Sequence, residues 1–128
     1  MPILVPVSWG ELLDKITILE IKSQRIADPA KLENVARELN ALREVVSASG
    51  LLPEAAQPVI DALRGVNESL WDVEDQVRDC ERQKVFAERF VELARSVYHH
   101  NDRRAALKRE LNDLMGSELV EEKSYQAY

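Results

Sequence analysis

The side chains best suited to chemistry lie along two stretches. Ile60, Arg64, Asn67, Trp71, Glu74, Arg78 and Glu81 recur at three- and four-residue spacing, which on a helix of about 3.6 residues per turn sets them in one stripe. Glu11, Asp14 and Arg25 stand on a helix nearer the N-terminus. An Asn, an indole and paired charges along one line admit three readings. They can wall a polar pocket in which Arg holds a small anionic or sugar-like ligand and Trp stacks on it. They can clamp two helices in register, with Glu74 and Arg78 at i,i+4 pairing beside Asp14. Or they can be a solvated flank. Where the two helices adjoin, Asp14, Asn67, Glu74 and Arg78 are expected to converge with Trp71, and Arg78 to bond Glu74 or Asp14. Glu11, Asp14, Arg25, Asn67, Trp71, Glu74 and Arg78 are therefore the ligand-binding candidates, and no residue is assigned a catalytic role.

Other chemistries have thinner support. Glu11-x-x-Asp14 and Asp72-x-x-Asp75 each set two acids a turn apart, a spacing that can hold Mg²⁺ but recurs in any acidic, helix-rich chain. Lys15, Arg25 and Arg78 could grip an anionic substrate between helices. His99 and His100 are adjacent, so on a helix they point about 100° apart and are poorly placed to share a metal. There is no Gly-rich phosphate loop, no cysteine pair and no Glu-x-x-His. Cys80 is the only cysteine; it continues an apolar seam and reads as a buried thiol in a reducing compartment. Neither a metal nor a cofactor is expected, and the pattern favours a non-enzymatic protein.

The elements that must position these residues are helical. Of 128 residues 45% are hydrophobic and 31% charged, with only four Gly and two Phe, a composition of good helix formers sized for one domain. The net charge of −6 argues against a general nucleic-acid binder. Arg103, Arg104, Lys108 and Arg109 form a local basic cluster that reads as intramolecular pairing with the acidic third helix. No apolar run reaches the length of a membrane span, and the start of the chain lacks a signal-peptide pattern, so a cytoplasmic protein away from membranes is expected.

Pro2 and Pro6 bracket Ile3-Leu4-Val5, which predicts an extended arm or short strand over residues 1–7. Ser8-Trp9-Gly10-Glu11 is a capping box that starts helix one, running to about Ala27. Its apolar residues lie on two sides, Leu12, Ile16 and Leu19 opposite Ile18 and Ile21, so it is either central to the bundle or part of a subunit interface. Asp28-Pro29 starts helix two and Gly50 ends it. Helix three begins near Pro58 and ends near Lys84, and Trp71, beside its seam, is expected to be at least half buried. Phe86 to Tyr98 predicts helix four, Asn101-Asp102 a cap, and a fifth helix to Met115-Gly116. Residues 117–128 form a tail that drapes over the bundle or frays. The chain reads as one all-α domain over residues 1–128, an antiparallel helical bundle of four to five helices with a short extended N-terminal arm.

Gly10-Glu11-Leu12-Leu13-Asp14-Lys15-Ile16-Thr17-Ile18-Leu19, together with Asn67-Glu68-Ser69-Leu70-Trp71-Asp72 and Glu88-Arg89-Phe90-Val91-Glu92-Leu93, resembles a bacterial family of short proteins, a domain of unknown function. The likeness continues through Asn101-Asp102-Arg103 and Gly116-Ser117-Glu118-Leu119. It implies no established activity, cofactor or site residue. It does imply a setting near glycosyltransferase-type proteins of surface-polysaccharide systems. Residues 27–66 resemble the family least and read as a spacer. The expected function is a non-catalytic interaction or accessory module with a protein partner or a second copy, a dimer among the options. The alternative is a small enzyme or ligand-binding protein using a polar site between helices one and three.

Overall fold

The computed structural model describes residues 1–128. Four α-helices and one short 3-10 turn form, and no strand: α1 Trp9–Arg25, α2 Pro29–Ser49, the turn Glu54–Ala56, α3 Gln57–Gln83 and α4 Glu88–Met115. Local chemistry sets most boundaries. The Ser8 hydroxyl accepts from the Glu11 amide at 3.1 Å, satisfying one of the free donors of the first turn. The reciprocal half of the expected capping box is missing, because the Glu11 carboxylate reaches Lys108 instead, 2.8 Å away. Asp28 caps α2 by accepting from the Ala30 amide at 3.0 Å, with Pro29 in the first turn. Gly50 and Gly116 end α2 and α4 in the left-handed conformation, each at φ 61°, where a Cβ would be strained.

The division between Tyr98 and Asn101 does not exist. α4 is one helix of 28 residues, since no Gly or Pro interrupts 88–115 and it packs along α3 as the other arm of a hairpin. Asp102 does not cap a helix; its carboxylate accepts from the Tyr128 hydroxyl. The arm, residues 1–7, is irregular and exposed rather than a strand.

α1 is central: it contacts α2, α3 and α4, whereas α2 makes its helix contacts with α1 alone. Ile21 is therefore buried within the chain, and it shares a groove with Leu70 and Trp71 of α3; neither the arm nor the tail covers it. Side-chain pairs fix the directions, Arg43 of α2 on Glu20 and Arg104 of α4 on Asp14. α2 runs antiparallel to α1, α3 parallel to it, and α4 antiparallel to both.

The main core joins Leu13 of α1 to Ala56, Val59, Ile60 and Leu63 and to Leu107 and Leu111 of α4. A smaller cluster of Leu19, Val35 and Leu39 seats α2 on α1. Residues 27–66, read as a spacer, thus contribute to the core: Ala56 and Leu63 are fully buried. The α1–α4 approach is close because Gly10 has no side chain. A Cβ at Gly10 would overlap the backbone carbonyl of Lys108, a rigid obstacle.

Gly10→Ala should therefore destabilise the fold by about 1–3 kcal/mol, the usual range for overpacking. Gly65→Ala, where a Cβ meets open space in the middle of α3, should stabilise it by about 0.5–1 kcal/mol. Urea unfolding of the two variants beside the wild type reads both signs.

Candidate functional site

Asp14 sits in the heart of the bundle with its side chain 2% exposed. Three helices meet on it. From α4, Arg104 donates through Nε to Oδ1 at 2.9 Å and through a terminal nitrogen to Oδ2 at 2.6 Å, a bidentate, charge-assisted pair. From α3, Asn67 Nδ2 donates to Asp14 Oδ1 and to Thr17 Oγ1, both at 2.9 Å. Thr17 in turn donates to the Asp14 backbone carbonyl at 2.7 Å. No buried side-chain nitrogen or oxygen lacks a partner, as a low-dielectric polar cluster requires. The hydrogen bonds to Asp14 raise the pKa of Arg104 above its ordinary value, so the guanidinium stays charged.

This pair is one rung of a ladder between α1 and α4. One turn back along α1, Glu11 accepts from Lys108 at 2.8 Å. Beyond it the Gly10 amide donates to Asn112 Oδ1 at 2.6 Å, and the Trp9 amide to the Ser117 hydroxyl at 3.2 Å. Lys108 also bonds Glu121 at 3.1 Å, Arg109 bonds Glu122 at 3.0 Å, and the Tyr128 hydroxyl contacts His99 Nδ1 at 3.2 Å. The tail thus drapes back along α4. The basic cluster on α4 does pair within the chain, but with α1 and the tail rather than with α3.

The predicted site comes together in part. Asp14 and Asn67 converge as expected. Trp71, partly buried, and Glu74 stand beside them, lining with Ile18, Ile21, Leu70, Asp75, Asn67 and Arg104 a groove of about 370 Å³. Arg78 does not join it: it bonds Glu74 at 2.8 Å with 77% of its side chain exposed, one turn too far along α3. Arg104 holds the position foreseen for Arg78. Arg25 pairs with Asp72 and lies 5.9 Å from the centre of the Trp71 ring, a cation–π contact. Glu11 belongs to the ladder and not to the groove.

The remaining candidates disperse. Lys15 pairs with Glu38, Arg25 with Asp72 and Arg78 with Glu74, so these three cations face different acids and do not form a common grip. No three His, Cys, Asp or Glu side chains are grouped so as to hold a metal ion; Glu11 and Asp14 are engaged by Lys108 and Arg104, and Asp72 by Arg25. Cys80 is buried.

Fold and site together define an all-α four-helix protein whose polar centre ties α1 to α3 and α4 beside a groove lined by Trp71. The chain belongs to a family of unknown function, DUF6165, whose pattern matches residues 3–128. No curated protein and no solved structure matches it. Those bounds include residues 27–66, which also supply part of the core.

Removing Arg104 would strand a buried carboxylate, so Arg104→Leu should cost about 3–5 kcal/mol. Arg78→Leu removes an exposed pair and should cost less than about 1 kcal/mol. Equilibrium denaturation of both variants distinguishes a clamp centred on Arg104 from one centred on Arg78.

The tail contact should depend on pH. The hydrogen bond from Lys108 holds the Glu121 carboxyl below its ordinary range, against a smaller opposing effect of burial. Burial alone would lower Lys108, but its hydrogen bonds to Glu11 and Glu121 prevail and raise it. The Glu121 contribution is therefore complete above an ordinary Glu pKa of about 4.3 and lost as pH falls through its lowered folded value. The Lys108 contribution is complete below about 10.4 and lost as pH rises through its raised value. Glu121→Gln should lower the melting temperature at pH 7 and leave it unchanged near pH 2, as followed by circular dichroism.

Proposed function

We propose that this chain is a non-catalytic helical interaction module acting in the cytoplasm. One observation carries the reading: no buried polar side-chain atom is left without a hydrogen-bond partner, whereas a run of apolar side chains in the arm, Ile3, Leu4, Val5 and Val7, stands in solvent. An anion entering beside Arg104 would have to compete with Asp14, which already holds that guanidinium through two hydrogen bonds. Exposed contiguous apolar surface, by contrast, is the usual mark of a partner site. The lone buried Cys80 supports a reducing compartment. On the sequence resemblance alone, a glycosyltransferase-type protein of a surface-polysaccharide system is the first partner to test.

The groove supports a second reading. Its apolar lining, with Trp71 as a stacking face and Asn67 and Glu74 as polar contacts, suits a small ligand between α1 and α3. Titrating the purified protein with sugar phosphates and nucleotide sugars, followed by Trp71 fluorescence and thermal shift, separates the two. The module reading expects no saturable change. A saturable shift of several degrees that Trp71→Ala abolishes overturns it in favour of the ligand site.

A further inference from the structure

On another side of α1 from the clamp, a cleft of about 540 Å³ opens between α1, the end of α2 and the start of α3. It exists because α2 rests on α1 without helix contacts to α3. Its lining includes the apolar side chains of Leu13, Ile16, Val46, Leu52 and Ile60. Its charges are already matched: Glu20 accepts from Arg43 at 3.0 Å and from Arg64 at 2.8 Å. What the cleft lacks is apolar side chains to fill it.

The same end of the bundle bears apolar side chains that lack a cleft. Ile3 is 87% and Leu4 93% exposed, just ahead of Ser8, and Leu13 lies only about 8 Å along the helix axis from Ser8 at 1.5 Å per residue. The arm does not turn back onto its own cleft. Ser8 is fixed in an extended conformation, φ −70° and ψ 158°, by its role as the cap of α1. Pro6 has a locked φ and confines Val5 to extended backbone. Residues 1–7 are exposed throughout, so the arm is not packed on the chain that carries it. Pro6 and Pro2 also lack amide donors, so the arm is suited to inserting side chains and not to extending a sheet.

We propose that the arm of one copy inserts Ile3, Leu4 and Val5 into the α1–α2–α3 cleft of a second copy, and that the exchange is reciprocal. This rests on the interaction-module reading and names its partner as a second copy of this chain. Because the root of the arm and the mouth of the cleft lie at one end of each molecule, a single two-fold axis lets both arms cross at once and closes the assembly as a dimer. Burying apolar side chains that are otherwise in water supplies the driving force.

The experiment uses the full chain. Sedimentation equilibrium should show a concentration-dependent dimer. Leu4→Asp should weaken it more than tenfold without changing the melting temperature extrapolated to infinite dilution, since Leu4 touches nothing within its own chain. Placement is read by mixing two variants, Leu4→Cys and Val46→Cys, each with Cys80→Ala, under mild oxidation. A disulfide-linked heterodimer is expected. A monomer at every concentration, a dimer indifferent to Leu4→Asp, or a mixture giving no Leu4→Cys to Val46→Cys link overturns the exchange. In a third variant that combines Leu4→Cys and Val46→Cys with Cys80→Ala in one chain, an internal disulfide with no linked dimer overturns it in favour of the arm's own cleft. None of these outcomes touches the module reading, which falls only to the saturable ligand response described above.

Discussion

A carboxylate removed from water must find compensation in the fold that removed it, and Asp14 finds it from two directions. Arg104 neutralises the charge from α4 and Asn67 supplies a neutral donor from α3. A buried ion pair is a poor source of net stability, because desolvation offsets most of the attraction. Its effect is on uniqueness. With α1 slid by one turn against α4, Asp14 would face Lys108 or His100 in place of Arg104 and lose the bidentate pair, so the native register is favoured over its neighbours. The rungs on either side, Glu11 with Lys108 and the Gly10 amide with Asn112, enforce the same register.

The apolar core depends on that register. Leu13, next to Asp14, reaches Leu63, Leu107 and Leu111 only when α1 lies at the depth set by the clamp. Gly10 permits that depth by letting α1 approach the Lys108 carbonyl. α2 stands apart from this. It is attached through Leu19, Val35 and Leu39 and exposes most of its remaining surface, so it is the element whose detachment disturbs the rest least, and amide exchange is fastest in such units.

The parts of the fold legible in the sequence are those set by neighbours along the chain. Ser8, Asp28-Pro29 and Gly50 place three helix ends through local capping, and the three-four alternation of Val59, Leu63, Val66, Leu70, Val73, Val77 and Cys80 places the packed side of α3. The single α4 was not legible, because Asn101-Asp102 has the composition of a cap and only the long packing against α3 shows that the helix continues. Asp14 and Asn67 could be singled out as polar residues at the border of apolar seams. Their third partner could not: Arg78 lies eleven residues past Asn67 on α3, out of reach of Asp14, and that α4 brings Arg104 there instead is a matter of tertiary arrangement. One signal was present. Glu11 and Asp14, a turn apart, match Lys108 and Arg104, also a turn apart and in the reverse order, as antiparallel neighbours require. The arm is plain from its prolines, whereas the cleft arises where α2 rests on α1 without close backbone approach to α3.

The ladder between α1 and α4 joins residues about a hundred positions apart, Gly10 with Asn112 and Glu11 with Lys108. During synthesis α1 is the first helix made, yet the groups that complete it are among the last. α1 and α2 can pair as a local hairpin while the rest is being translated, but the face carrying Asp14 must stay hydrated until Arg104 emerges, since chain ends this distant meet only late. The centre of this bundle can therefore close only once α4 is made: before then, α1 and α2 leave open the side that α4 will cover.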